Sequence, residues 1–182
     1  MNKNILLIAG LVLSLSATSF GQTTMVGGEQ MYPKKNIVEN AVNSKTHTTL
    51  VAAVKAAGLV EALQGDGPLT VFAPVNDAFE NLPEGTVETL LKPENKETLT
   101  KVLTYHVVAG NYDFKAISEL IKKGKGKATL TTLSGGKLMA MMNGEHNISL
   151  MDENGHTANI TIYDVYQSNG VIHVIDSVVL PK

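Results

Sequence analysis

The sequence contains no cysteine and no arginine, and each absence excludes a class of chemistry. Without cysteine there is no thiol nucleophile, no thiolate metal site and no iron–sulfur cluster. All 15 basic residues are lysine, so the planar guanidinium that binds phosphate or carboxylate through two parallel hydrogen bonds is missing. The formal net charge of -2 argues against a dedicated nucleic-acid-binding protein.

The first 21 residues have the pattern of a secretory signal peptide. Lys3 precedes an uncharged run whose apolar part extends from Ile5 to Leu15, and small residues stand at Ser19 and Gly21. A membrane anchor would need about 20 strongly apolar residues, whereas this run becomes polar in its second half. We therefore predict cleavage after Gly21, a secreted or periplasmic product, and no membrane span once the signal is removed.

The rest of the chain is predicted to form one domain. Residues 22–35 are small, polar and contain glycine, and we interpret them as a linker. Residues 36–182 show no internal repeat and are enough for a core that buries about 70% of the unfolded surface without disulfides. The predicted organisation is a signal peptide at 1–21, a linker at 22–35 and one domain at 36–182.

Helical patterns come first along the domain and strand patterns follow. Asn36 and Glu39 have the spacing of a capping box, and Gly58 suits the left-handed end of a second helix. A single early strand, from Leu69 to Ala73, must join the later sheet. This order predicts an α+β fold. The later strands are predicted at 129–133, 138–142, 147–151, 158–166 and 171–180, separated by turn sequences rich in glycine and asparagine.

Three short motifs stand out in this pattern. A strand that ends at a proline and turns into a short helix occupies 70–79, a Tyr-His pair stands at 105–106, and an apolar strand opened by Asn-Gly occupies 169–176. In order and separation they resemble the first box, the Tyr-His motif and the second box of fasciclin (FAS1) domains, over about residues 34–181. The box residues expected to be structural are Thr70, Val71, Phe72, Ala73, Pro74, Asn76, Asp77, Ala78, Phe79, Asn169, Gly170, His173 and Asp176.

The resemblance implies a fold and a role. The FAS1 fold is a wedge-like, mostly antiparallel β-sandwich flanked by short helices, and the family has a broad role in adhesion or extracellular binding. An Asp-Ile pair near the second box is tied to integrin binding in related domains, but here the order is Ile175-Asp176. The first box also departs from the family, because Val75 stands where Thr or Ser is usual. Either Asn76 supplies the missing capping oxygen or the helix end is less well satisfied.

Two hypotheses remain open for Tyr105 and His106. The resemblance associates this pair with adhesion and integrin recognition. His106 also lies three residues beyond Leu103, on the apolar face of a predicted helix, which favours a mostly buried ring whose nitrogens are satisfied by backbone groups. Under the second hypothesis the pair fixes a corner between a helix and a strand, and any effect on adhesion follows from the fold.

No catalytic, metal or cofactor site is predicted. Alternation along the last strand places His173 and Asp176 on opposite faces, and no Gly-x-Ser-x-Gly nucleophile elbow is present. The run from Asp152 to His156 lacks the spacing of an EF-hand and favours a hairpin turn. His146 and His156 could meet across that hairpin, but two histidines and a carboxylate are a weak metal signal.

Four lysines, Lys122, Lys123, Lys125 and Lys127, alternate with glycine after the last predicted helix. The frame of a phosphate-binding P-loop is absent, so we expect a mobile, solvated basic loop. Its functional interpretation is weak, salt-sensitive contact with an anionic polysaccharide or matrix.

The sequence thus predicts a non-enzymatic adhesion or matrix-interaction module of the FAS1 type. Its partner would be a protein or polysaccharide at the cell surface, in the matrix or in the cell envelope. The alternative is a protein that binds a small ligand or an anionic polysaccharide. A deep pocket with converging polar side chains would favour the ligand, and a broad apolar surface would favour protein contact.

Overall fold

The structure is a computed structural model that describes residues 23–182. The predicted signal peptide and its cleavage site after Gly21 lie outside the described residues. Within residues 23–182, none of the helices is both long and apolar enough to cross a membrane.

The helices begin and end where the local sequence offers caps. Asn36 and Glu39 form the predicted capping box, and Gly58 ends the second helix with φ 73°. Asp113 caps the last helix by accepting from the amide of Ala116 at 2.8 Å. In the described residues the helices are α1 (Ile37–Ala41), α2 (Thr48–Ala57), α3 (Val60–Gln64), α4 (Asn76–Glu80), α5 (Thr86–Leu90), α6 (Lys96–Tyr105) and α7 (Phe114–Lys123), with a 3-10 turn at Pro93–Asn95.

The strands of the described chain form a small hairpin and one large sheet. The hairpin pairs β1 (Thr24–Val26) with β2 (Glu29–Met31). The sheet contains β3 (Leu69–Pro74), β4 (Val107–Ala109), β5 (Lys127–Thr131), β6 (Lys137–Met142), β7 (Ile148–Met151), β8 (Thr157–Gln167) and β9 (Gly170–Ile175). Their order across the sheet is β4-β3-β9-β8-β7-β6-β5, and every neighbouring pair is antiparallel except β3 with β9. The predicted α+β fold is confirmed, and the early strand does join the later sheet.

The long strand β8 lets this sheet fold into two layers. Its register with β9 shifts twice between Ile160 and Val165, and Asp164 takes φ 54° in the same stretch. Such irregularities bend a strand, so one end of β8 pairs in the layer with β9 and the other end pairs with β7. The result is a sandwich with an apolar interior, here called the sandwich core. Its members include Phe72, Tyr105, Ile117, Leu138, Ile148, Leu150 and Ile175.

The other face of β3, β4 and β9 packs against the helices. Successive side chains of a strand point to opposite faces, so Phe72 enters the sandwich core whereas Val71 and Ala73 enter a second core. This helical-side core includes Val71, Ala73, Leu99, Leu103, Val107, Ile172 and Val174, with residues of α1 and α2. The central strands are therefore buried on both faces, which explains their nearly continuous apolar sequences.

The predicted linker at 22–35 is wrong for most of its length. Val26 and Met31 of the β1–β2 hairpin are buried in the helical-side core. The side-chain amide of Asn40 accepts from the backbone amide of Tyr32 and donates to its carbonyl oxygen, which fixes the chain after the hairpin. Because these strands have three residues each, their alternation is too short to be recognised in the sequence. The folded unit therefore starts before residue 36.

Candidate functional site

The three motifs of the sequence meet on adjacent strands. The first box supplies β3, the residues after the Tyr-His pair form β4, and the second box supplies β9. Since β3 lies between β4 and β9, Phe72 is opposite His173, and Val71 is opposite both Val107 and Ile172. The three motifs therefore share one junction between the sheet and the helical layer.

The first box fastens the junction through two polar side chains. The buried Thr70 hydroxyl donates to the carbonyl oxygen of Gly110 at 2.8 Å and accepts from the amide of Tyr112 at 2.9 Å. The second of the two alternatives for α4 holds, because Asn76 does not cap its own helix. Its Oδ1 accepts instead from the amide of Thr49 at 3.1 Å, in the first turn of α2.

The start of α4 accordingly has no side-chain cap, because Val75 has no hydroxyl to offer. Asp77 lies in the first turn, where a negative charge interacts favourably with the helix dipole. Ala78 is buried, and Phe79 packs against the helical-side core. The first box is thus a structural corner that also caps the neighbouring helix.

The second box opens with a residue that joins three elements. The Oδ1 of the buried Asn169 accepts from the amide of Ile37 at 3.0 Å, and its Nδ2 donates to the carbonyl oxygens of Leu63 and Gly65 at 2.9 Å each. The backbone carbonyl of Asn169 also accepts from the amide of Leu69. One side chain therefore holds α1, the end of α3 and the start of β9 together.

His173 and Asp176 lie apart, as predicted. The His173 ring stacks on Phe72 with 5.7 Å between centroids, and its Nε2 lies 2.8 Å from the carbonyl oxygen of Tyr112. Burial lowers the pKa of this histidine, although the Tyr112 carbonyl and the carboxylates of Asp164 and Asp113 oppose the shift. Asp176 instead accepts from the amide and the side chain of Asn159 at 2.8 and 2.9 Å. The two residues cannot act as a catalytic pair.

The Tyr-His pair ends α6 at the seam between the two cores. His106 is 3% exposed; its Nδ1 lies 2.8 Å from the carbonyl oxygen of Val102, and its Nε2 accepts from the amide of Val179 at 3.3 Å. Because Nε2 accepts, the proton resides on Nδ1, which donates to Val102. Burial lowers the pKa of His106 to about 4, against the effect of that carbonyl. The ring is therefore neutral at pH 7.

Tyr105 is fully buried in the sandwich core, and its hydroxyl joins β6 to the turn between β7 and β8. The hydroxyl donates to the carbonyl oxygen of Lys137 at 2.7 Å and accepts from the amide of Glu153 at 3.2 Å. Burial raises the pKa of Tyr105 to about 12, and the nearby carboxylates of Glu153 and Asp152 act in the same direction. The predicted burial and hydrogen bonding of His106 are confirmed. A role of either side chain in binding stays a prediction and would act through the surface around them.

The predicted hairpin turn at Asp152 is confirmed. The buried Asp152 accepts through Oδ1 from the amides of Asn154 and His156, and through Oδ2 from the amide of Leu180. His156 lies near this carboxylate, with 3.4 Å between Nδ1 and Oδ2, whereas the ring of His146 lies near Glu145. Among residues 23–182, no three histidine, aspartate or glutamate side chains are grouped so as to hold a metal ion.

The four lysines predicted to share a loop belong to three elements. Lys122 and Lys123 form the last turn of α7, where positive charge interacts favourably with the helix dipole. Lys125 takes φ 55° in the short connection, and Lys127 begins β5. All four side chains are exposed. The connection is closed by backbone hydrogen bonds from Gly124 to Leu120 and from Gly126 to Ile121, so it is an ordered turn.

Comparison with known proteins agrees with this geometry. Residues 45–181 match the fasciclin domain family. The chain belongs to the FAS1 family. It is 48% identical to protein sll1483 of Synechocystis sp. over 150 residues, which cover 80% of this chain and 73% of that protein. It is 35% identical to immunogenic protein MPB70 of Mycobacterium bovis over 146 residues, which cover 78% of this chain and 66% of that protein.

The fold is also similar to a solved pair of FAS1 domains from the insect cell adhesion molecule fasciclin I. The TM-score is 0.69 at 16% sequence identity, and the match covers 80% of this chain and 51% of the solved chain. This chain thus spans about half of that structure. FAS1 domains are associated with adhesion and extracellular-matrix proteins and are generally not catalytic. The resemblance inferred from the three motifs is confirmed.

Replacement of His106 in this FAS1 domain by alanine is expected to lower the free energy of unfolding by about 1 to 3 kcal/mol. The change leaves the carbonyl of Val102 and the amide of Val179 without their buried partner. Urea unfolding at pH 7 measures the loss. Tyr105→Phe is the matched control for the pair, since it removes one hydroxyl and keeps the packed ring. Unchanged stability of His106→Ala together with lost partner binding would make this motif a direct contact site.

Proposed function

We propose that the protein is an exported, non-enzymatic FAS1 module that contacts a protein or polysaccharide at the cell surface, in the matrix or in the cell envelope. The observation that carries this proposal is that the motif side chains form their hydrogen bonds within the domain. The rings of His106 and His173 and the amide of Asn169 all bond to backbone groups within the domain. They are not available for acid–base or nucleophilic chemistry, which leaves non-covalent contact through the surface.

The exposed lysine cluster, Lys122, Lys123, Lys125 and Lys127, is the surface that we assign to this contact. All four side chains reach solvent around the end of α7, and none forms an ion pair within residues 23–182. Unpaired charges of one sign attract a polyanion over about 10 Å at 0.1 M salt and over a longer distance at lower salt. The partner chemistry that fits the cluster is therefore a carboxylate-bearing or sulfated polysaccharide, or an acidic protein surface.

The test is retention of the purified protein by cell-envelope and matrix fractions, at low and at high salt. We expect retention at low salt and release at high salt, because exposed charge pairs are screened. Retention on the polysaccharide after protease treatment of the fractions would identify the partner as polysaccharide. Absence of retention at low salt would contradict the proposal.

Changing the four cluster lysines together to glutamine is expected to abolish retention and leave folding intact. Exposed substitutions of this kind alter stability by about 0.5 kcal/mol or less. Equal removal of charge at Lys34, Lys92, Lys96 and Lys137, which are exposed elsewhere on the surface, is the matched control and should bind nearly as the wild type. A large fall in the melting temperature of the cluster variant would show that the cluster is structural. Equal loss of binding in both variants would mean that retention depends on the net charge of the protein and not on this cluster.

A second candidate function is the binding of a small apolar ligand, rather than of the polar ligand that converging polar side chains would have favoured. A cavity lies between the helical layer and the sheet, and its walls are apolar. Such walls do not suit the anionic partners that fit the lysine cluster.

A further inference from the structure

The helical layer covers a cavity of about 120 Å³, here called the helical-layer cavity. Its floor is the helix-facing side of β4, β3 and β9, through Val107, Val71 and Ile172. Its roof consists of α1, α2 and α3, and Leu103 of α6 lies at one end. Neighbouring strands lie about 4.8 Å apart, so a floor of three strands is about 10 Å wide.

The walls offer no polar partner to a ligand. The lining is aliphatic or aromatic except for Lys55, Thr104 and His106. The Thr104 hydroxyl donates to the carbonyl oxygen of Thr100 at 2.7 Å, and both ring nitrogens of His106 are satisfied. Lys55 is exposed, so its aliphatic stem can border the cavity while its ammonium remains in water.

Water would gain little in such a space. A buried water needs two to four polar partners, and apolar cavities without them stay dry. In another protein, an engineered apolar cavity of about 150 Å³ remains empty of water and binds benzene or xenon. The volume and the lining of the helical-layer cavity are of the same kind.

The cavity is also reachable from outside. Val38, Val54 and Leu63 of the roof are only partly buried, and Leu133 beside it is 51% exposed. The α1 and α3 helices have five residues each, so the roof is built from short elements. A small molecule can therefore enter between helices without crossing the sandwich core.

We propose that the helical-layer cavity binds one small, uncharged apolar molecule, an aromatic ring or a short branched aliphatic group. Recognition is by shape and burial of apolar surface, because the polar side chains of Thr104 and His106 in the wall already have hydrogen-bond partners within the domain. This site shares no residue with the lysine cluster. An experiment can therefore refute the cavity proposal without refuting the surface-contact proposal, and the reverse.

The experiment is a titration of the purified protein with benzene, observed by methyl NMR. We expect saturable shifts for the methyl groups of Val54, Leu63 and Leu103, which line the cavity. Methyl groups of Leu138 and Leu150 in the sandwich core should not move. Benzylammonium, which has a similar ring with a charge attached, should cause no saturable shift, because burial of an unpaired charge is unfavourable. Benzene should also raise the melting temperature, since it binds the folded state alone.

Ala41→Leu tests the location of the site. Ala41 lines the cavity from α1, and leucine adds an isopropyl group there. This variant should lose the benzene shifts and the rise in melting temperature. Ala52→Leu makes the same change at an exposed position of α2 outside the cavity and should behave as the wild type. If Ala41→Leu does not fold, the wild-type titration still decides. No saturable shift up to the solubility of benzene, or equal shifts in both cores, would overturn the proposal.

Discussion

Replacement of Gly170 by alanine is expected to destabilise the domain by about 3 kcal/mol or more, enough to unfold a marginally stable protein. A Cβ atom at this position would lie 2.9 Å from the backbone carbon and nitrogen of Leu69 and closer still to its carbonyl oxygen. The obstacle is the backbone of β3, which pairs in parallel with β9 at this residue. A flexible side chain could move aside, but a paired strand in the middle of the sheet cannot.

Thermal unfolding of Gly170→Ala beside Gly65→Ala measures this effect. A Cβ at Gly65 would meet its nearest atom at 3.4 Å, an ordinary contact, and the backbone there has φ -62°. Alanine at a compatible position restricts the unfolded chain and is neutral or mildly stabilising. Similar melting temperatures for the two variants would mean that β3 and β9 can separate without cost at this point.

Acidification from pH 7 to pH 4 is expected to lower the free energy of unfolding by about 3 kcal/mol through His106 alone. Burial holds the pKa of the folded state at about 4, whereas the ordinary value is 6.5. Between these values the unfolded chain carries a proton on this ring and the folded chain does not. The stabilisation is therefore complete above pH 6.5 and is lost progressively as the pH falls toward 4.

His47 and His173 should add to the same trend, because burial lowers the pKa of both rings in the folded state. Urea unfolding at several pH values between 7 and 4 gives the slope of the free energy of unfolding against pH. In His106→Gln the slope should be smaller than in the wild type, because one titrating group is removed. His146→Gln changes an exposed ring and should keep the wild-type slope. Equal slopes for His106→Gln and the wild type would refute the assignment to His106.

Features encoded within a few neighbouring residues could be predicted from the sequence. The corner at Pro74, the capping box at Asn36 and the hairpin turn at Asp152 were all predicted, because each depends on local backbone preferences. No bounds were predicted for β4, which has only three residues, and the other six strands of the sheet were predicted with errors of a few residues at their ends. The last one was extended to 180 although β9 ends at Ile175, because the apolar run continues in Val178 and Val179, which are buried without pairing.

Features that depend on partners distant in the sequence could not be predicted. Asn76 caps α2, 27 residues earlier in the chain, and Asn169 bonds to Ile37, 132 residues away. Nothing near either asparagine in the sequence indicates these partners, since they are set by how α1 and α2 pack on the sheet. The helical-layer cavity has the same origin. It is the space between the short helices and three strands. In the sequence, each residue that lines it looks like an ordinary core residue.

The two edge strands of the large sheet, β4 and β5, approach each other at one end. Val108 of β4 forms an isolated bridge with Thr132, just after β5, and the amide of Leu133 donates to the carbonyl oxygen of Val107 at 2.8 Å. Helix α7 packs against β5 along the same border. Open strand borders are templates on which further chains add and aggregate. The bridge and α7 therefore leave less of the two edge strands open to pairing with another chain, which disfavours polymerisation of the protein through its sheet.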